Sequence, residues 1–227
     1  EIVLEEAEIN VSGLVGGKAR IGGDWGGDGP LPPASRTLVG KDVEIKADGW
    51  EGSGGEVVIW SEEETRFAGR VSATAAGPAG EGGSVEVSSK GVLSFGGSVS
   101  TVAENGRAGR LLLDPVNILI KGGSADGTDA PDAESTDVEA DDGTSGRVRQ
   151  TDTGDGNAPF EIYESELEGL SAGTNIELEA SNDIVMEDLT DDLLALDCTT
   201  AVRMTADSDG DGQGVMAMRD PADTVRT

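Results

Sequence analysis

Histidine is absent, cysteine occurs once, and aromatic residues make up only 3% of the 227 positions. Without histidine there is no imidazole to act as a general base near neutral pH. The lone thiol, Cys198, excludes an internal disulfide and any zinc site built from clustered thiolates. No apolar run approaches the roughly 18 residues that a membrane-spanning helix needs. Positive charge is scarce too: 16 Lys and Arg face 45 Asp and Glu, a formal charge of −29. Such a surface repels nucleic acid and anionic lipid, so neither nucleic-acid binding nor membrane insertion is expected. With 36% apolar residues and few large rings, a compact spherical core would be poor. A thin, elongated core lined by Val, Ile, Leu and Ala suits the same composition.

What the chain has in plenty is glycine, 35 residues, about twice the usual share. It also repeats itself. GGEVVIWSEEETRFAGRVSATAAGPAGE, Gly54–Glu81, is followed without a gap by GGSVEVSSKGVLSFGGSVSTVAENGRAG, Gly82–Gly109. Val57 matches Val85, Ile59 matches Val87, Phe67 matches Phe95 and Val71 matches Val99, while the positions between drift. The repeat preserves turns and inward apolar residues, and it contains no set of catalytic groups.

Short bursts of strand-like alternation punctuated by glycine recur along the chain, as at Lys18–Ile21, Asp42–Lys46, Glu56–Trp60, Ser84–Ser88 and Asn175–Ala180. Within them Val57, Ile59, Val85 and Val87 are expected to face inward, and Val58, Trp60, Glu86 and Ser88 outward. Asp24–Thr37, with Pro32-Pro33, reads as a loop insertion. Residues 122–159 form a long acidic, Gly- and Asp-rich excursion. Glu164–Gly173 offers one or two turns of helix, and Met186–Leu196 is better read as strand–turn–strand. Repeats of this length without regular helices call for a solenoid. The expected fold is therefore all-β: a right-handed parallel β-helix with loop excursions. Regular coils would fill 1–121, with the Gly/Pro loop at 24–37, and further coils 160–227. Phe67 should then stack on Phe95 about 4.8 Å along the axis.

Several strings carry a family resemblance. GGKARIGGDWGGDGPLPPASRTLVGKDVEIKADGWEGSGGEVVIWSEEETRFAGRVSATAAG resembles the repeat region of filamentous-haemagglutinin-like adhesins, the exoproteins of two-partner secretion. GGSVEVSSKGVLSFGGSV, GRAGRLLLDPVNILI, LEGLSAGTNIELEASNDIVMEDLTDDLL and MTADSDGDGQGVMAMRDPADTVRT resemble it in the same order. The resemblance implies a secreted or cell-surface structural or adhesive shaft, exported through an outer-membrane pore partner. The secretion domain of such exoproteins has no counterpart here, so an interior piece of a longer shaft, or a segment stacking head-to-tail into a filament, is expected. A host or neighbouring-cell surface or glycan is the partner class implied.

Two other classes remain open. A glycan-binding module would use Trp25, Trp50 and Trp60 as exposed aromatic platforms. A polysaccharide-acting enzyme on a β-helix would need converging carboxylates, and no pair is fixed by the sequence; no catalytic or cofactor-binding residue is therefore assigned. DSDGDG, Asp207–Gly212, places Asp207, Asp209 and Asp211 at alternate positions before a glycine, the spacing by which one tight turn offers three oxygens to Ca²⁺. A solvated acidic turn is the competing reading. DTGDGN, Asp152–Asn157, is a weaker form of the same pattern. Asp114-Pro115 reads as a strand-ending turn, and Asn10-Val11-Ser12 forms a glycosylation sequon.

Overall fold

The computed structural model describes residues 1–123, 159–197 and 200–226. The acidic excursion at 124–158, with Asp152–Asn157, and Cys198 lie outside the described residues.

The chain is all-β in its main elements, and its strand pairs are parallel. The first sheet runs, in spatial order, through Lys18–Ile21, Glu56–Ser61, Ser84–Ser89, Arg110–Asp114, Asn175–Glu179 and Val202–Thr205. In the second, Ile2–Asn10 pairs along Arg36–Lys46. The two halves of Arg36–Lys46 then continue separately, one into Glu64–Phe67 and Val92–Phe95, the other into Arg70–Ser72 and Ser98–Ser100. A third sheet orders Phe160–Tyr163, Ile118–Lys121, Ile184–Met186 and Met216–Met218. Leu193–Ala195 pairs with Thr224–Arg226.

Parallel partners cannot be joined by a tight hairpin and need a long return. Here the return is the repeat itself. Val57 pairs with Val85, Phe67 with Phe95 and Val71 with Val99, so three consecutive strands all carry one 28-residue shift. Isolated bridges at Gly13, Gly49, Ala75 and Ala103 extend the same stacking past the strands. The expected pairing of the repeat is borne out.

Alternation sets which side of each strand is buried. Val57, Ile59, Val85, Val87, Leu111, Leu113, Ile176 and Leu178 are each 0% exposed and belong to one continuous apolar core. The rings of Phe67 and Phe95 lie within it, 5.4 Å between centroids. At the flanks the core thins: Ile2, Leu4, Ala7 and Ile9 on one side, and Val202 and Met204 on the other, are only partly buried.

Three details differ from expectation. The strands Ile2–Asn10 and Arg36–Lys46 run nine and eleven residues, longer than the five-residue bursts. The loop expected at 24–37 ends at Ser35, because Arg36 and Thr37 already pair with Glu64 and Thr65. Phe160–Tyr163 lies on the edge of Ile118–Lys121 opposite Ile184–Met186, so the chain steps back before it advances. The helix Glu164–Ser171 follows, and Ile184–Met186 and Leu193–Ala195 form the expected strand–turn–strand. Asp114 closes its strand just before Pro115. No described helix is long and apolar enough to cross a membrane.

Candidate functional site

The most elaborated surface is the outer face of the first sheet, where the segment after Ile21 folds back as a strap. Gly26 and Gly27 adopt φ of 63° and 72°, which turns the backbone tightly through a short 3-10 helical segment, Trp25–Gly27. Ala34 donates its amide to the Gly22 carbonyl at 2.7 Å, closing the strap at its base. Inside it, Asp24 pairs with Arg20 and accepts the Leu31 amide at 2.9 Å.

The strap seals what lies beneath it. The Gly26 amide donates to Glu86 Oε2 at 2.9 Å and Oε1 at 3.1 Å. The Trp60 indole lies against Gly23 and Gly27, and the Trp25 ring sits 4.7 Å from the Arg110 guanidinium, a cation–π contact. Arg110 also bridges to Glu177 at 3.1 Å. The strap therefore reaches across the strands of three successive returns.

Expectations for this face need correction. Val58, Trp60, Glu86 and Ser88 point away from the core as the alternation requires, yet Val58 and Glu86 are 0% exposed and Trp60 3%. Trp60 and Glu86 are covered by the strap, which comes from a distant part of the sequence. Of the three tryptophans offered as platforms, Trp50 is 60% exposed, Trp25 is half-buried and Trp60 is enclosed. They do not line one groove: Trp25 and Trp60 serve the strap, and Trp50 stands at a turn on its own.

Burial pushes the Glu86 carboxyl up to about 7; the Gly26 amide opposes this, and the Asp114 charge adds to it. Asp114, one strand further on, is likewise raised to about 6, first by burial and then by Glu179. Two carboxylates of raised pKa resemble an acid–base pair. Glu86, however, is sealed from solvent and bound to Gly26, so it anchors the strap and cannot touch a substrate. The sequence reading missed this pair because Glu86 looked like an ordinary solvent-facing strand residue.

The structure does bring Asp207, Asp209 and Asp211 together, one carboxylate oxygen of each within 4.8 Å of the others. One oxygen each of Asp207 and Asp209, and both of Asp211, accept hydrogen bonds within the turn. Asp207 accepts the Gly212 amide at 2.9 Å, Asp209 the Asp211 amide at 3.3 Å, and Asp211 both the Gln213 amide and its side-chain nitrogen. Asp207 has a positive φ of 56°, with Gly210 and Gly212 also positive. The turn thus gathers the three carboxylates and holds them with its own amides, a geometry compatible with the solvated acidic turn and with the calcium reading alike.

A groove of about 290 Å³ lies beside Ser98–Ser100, lined among others by Phe95, Val99, Glu166 and Leu170. Its carboxylate, Glu166, accepts the Tyr163 amide at 3.0 Å and caps the helix Glu164–Ser171. The groove is thus a packing seam between the helix and a sheet edge.

Fold and site together define an all-β protein of in-register parallel sheets with a strapped outer face. No known protein-family model matches this chain, and no curated protein matches it significantly.

Proposed function

We propose that this chain is a length of structural or adhesive shaft: a right-handed parallel β-helix belonging to a secreted or cell-surface exoprotein. The observation that carries the reading is the single 28-residue shift shared by three consecutive strand pairs, Val57 with Val85, Phe67 with Phe95 and Val71 with Val99. A repeat whose three strands all land in register on those of the preceding repeat extends the chain along one axis. Right-handedness follows from the general rule for parallel crossovers. The string-by-string resemblance to filamentous-haemagglutinin-like repeats supports export by two-partner secretion through an outer-membrane pore. The strong negative charge, −29, suits an exterior surface bathed in salt and divalent cations.

Head-to-tail stacking belongs to the same proposal. Ile2–Asn10 pairs along one edge only among the described residues, and Val202–Thr205 is the last strand of its sheet. Outer strands of this kind can template another strand. Such a contact is heterologous and builds a fibre.

Antibodies raised against the chain test the reading. Labelling of intact, unpermeabilised cells, with the antigen also released into the medium, is expected. Labelling that needs permeabilised cells would remove the surface-shaft assignment. Electron microscopy of the purified chain at rising concentration would show end-to-end fibres if the stacking holds.

A further inference from the structure

Three acidic residues that the sequence did not single out as ligands meet beside the strand pair Leu193–Ala195 and Thr224–Arg226. Asp188 and Asp192 lie in the turn between Ile184–Met186 and Leu193–Ala195. Asp223 immediately precedes Thr224–Arg226, the strand that pairs with Leu193–Ala195. One carboxylate oxygen from each of the three lies within 4.8 Å of the others.

Asp223 separates this cluster from an ordinary acidic patch. It is only 6% exposed. Its Oδ1 accepts the Leu189 amide at 3.3 Å, but its Oδ2 is buried with no hydrogen-bond partner. A buried carboxylate oxygen left without a partner carries a desolvation penalty that native structures rarely tolerate. Among the described residues no lysine or arginine bridges to any of the three, and the nearby Arg219 is committed to Glu187 at 2.6 Å. Asp188 and Asp192 are exposed, so the cluster opens to solvent on one side.

We propose that Asp188, Asp192 and Asp223 form a calcium site that ties together two successive returns of the chain. An all-oxygen, all-carboxylate donor set selects a hard cation. Calcium oxygens lie about 2.3–2.6 Å from the ion, so donors across one ion are separated by up to roughly 5 Å, in keeping with this cluster. Water supplies the remaining ligands from the open side. The backbone is already set for such a clasp. Asp192 has a φ of 60°, and its carbonyl accepts both the Thr224 amide at 2.9 Å and the Thr224 hydroxyl at 3.0 Å. The ion would fasten Thr224–Arg226, whose three residues are all exposed, to the better-buried Leu193–Ala195. This site is distinct from the turn at Asp207–Asp211, and it stands whether or not the chain is a surface shaft.

Thermal melting of the full chain, stripped with chelator and then titrated with CaCl₂, tests the site. At a hundredfold excess over Kd, calcium should raise Tm by roughly 5–10 °C. Asp223→Asn should lose that increment. Should this variant fail to fold, the double variant Asp188→Asn/Asp192→Asn, changed only at exposed positions, should lose the increment instead. Asn also tolerates the positive φ at position 192. Asp209→Asn/Asp211→Asn should keep it. A wild-type Tm indifferent to calcium, an increment that survives in the Asp188/Asp192 variant, or one lost only in the Asp209/Asp211 variant would each overturn the assignment.

Discussion

Thr65 Oγ1 donates to the Ser88 carbonyl at 2.8 Å, and Thr37 Oγ1 donates to the Trp60 carbonyl at the same distance, each across 23 residues. Thr37 and Thr65 are themselves paired in adjacent strands and both are 0% exposed. One buried hydroxyl-to-carbonyl bond is thus repeated from one return to the next, and Thr65 adds a contact to Ser61 Oγ at 2.7 Å. Thr65→Val keeps the shape and removes the hydroxyl. Denaturant unfolding should report a loss of about 1–3 kcal/mol, because the Ser88 carbonyl is left buried without this donor. Thr65→Ser, which retains the hydroxyl, should recover most of it.

The Phe67–Phe95 contact should be one of the costliest apolar pairs to lose. Both rings are at most 2% exposed. Phe95→Ala is expected to destabilise the chain by about 3–5 kcal/mol, the range for truncating a buried ring. Because the two rings touch, the double variant Phe67→Ala/Phe95→Ala should cost less than the sum of the singles. Additive losses would mean that the rings do not interact.

Stability should fall as pH rises through the range in which Glu86 and Asp114 titrate. Glu86 is raised from 4.5 to about 7, and Asp114 from 3.8 to about 6. Below about pH 3 both groups hold their protons folded or unfolded, and neither costs anything. As pH climbs toward 7, the unfolded chain releases protons that the folded chain retains. The unfolded state then binds fewer protons and is favoured. Glu86→Gln should leave stability unchanged near pH 3 and raise it by about 1–3 kcal/mol near pH 8, given roughly 1.4 kcal/mol per pKa unit. A variant equally stabilised at both pH values would show that protonation is not the cause.

The strap should be separable from the core. At Gly27, where φ is 72°, an added Cβ would overlap the Trp60 ring. Gly27→Ala therefore combines left-handed backbone strain of about 1–2 kcal/mol with a clash. The expected result is a strap lifted from the sheet, read as a red shift in tryptophan fluorescence and faster proteolysis between Gly22 and Ala34. Gly26→Ala has a similar φ of 63° but meets nothing within 4 Å. It should cost only the backbone strain and leave Trp60 enclosed.

Stacked positions were legible because they repeat: Val57 and Val85, Phe67 and Phe95, Val71 and Val99 are like residues at a constant spacing, and pairing like with like needs no knowledge of the rest of the chain. The helix Glu164–Ser171 and the two short strands after it were legible from local pattern. The cover over Trp60 and Glu86 was not. Gly26 reaches Glu86 across 60 residues, and nothing in a strand's own alternation says that a distant loop will lie on its outer face. The backward step of Phe160–Tyr163 was hidden for a related reason, since alternation sets the buried side of a strand but not which edge it joins. Asp207, Asp209 and Asp211 formed a visible motif and came together. Asp188, Asp192 and Asp223 formed none, because the two segments that bring them together belong to different returns of the chain.

The returns of the first sheet differ greatly in length while its register does not. Lys18 pairs with Glu56, 38 residues on, although Glu56 pairs with Ser84 after 28 and Ser84 with Arg110 after 26. Arg110 then waits until Asn175. The ladder counts strands, not residues. Extra sequence can therefore be spliced in at a corner and thrown outward, as the strap is, with every interior partner unchanged. A lineage built on this plan can acquire new surface one insertion at a time, with adjustment confined to the outer face that the insertion covers, as at Trp60, Glu86 and Arg110 here.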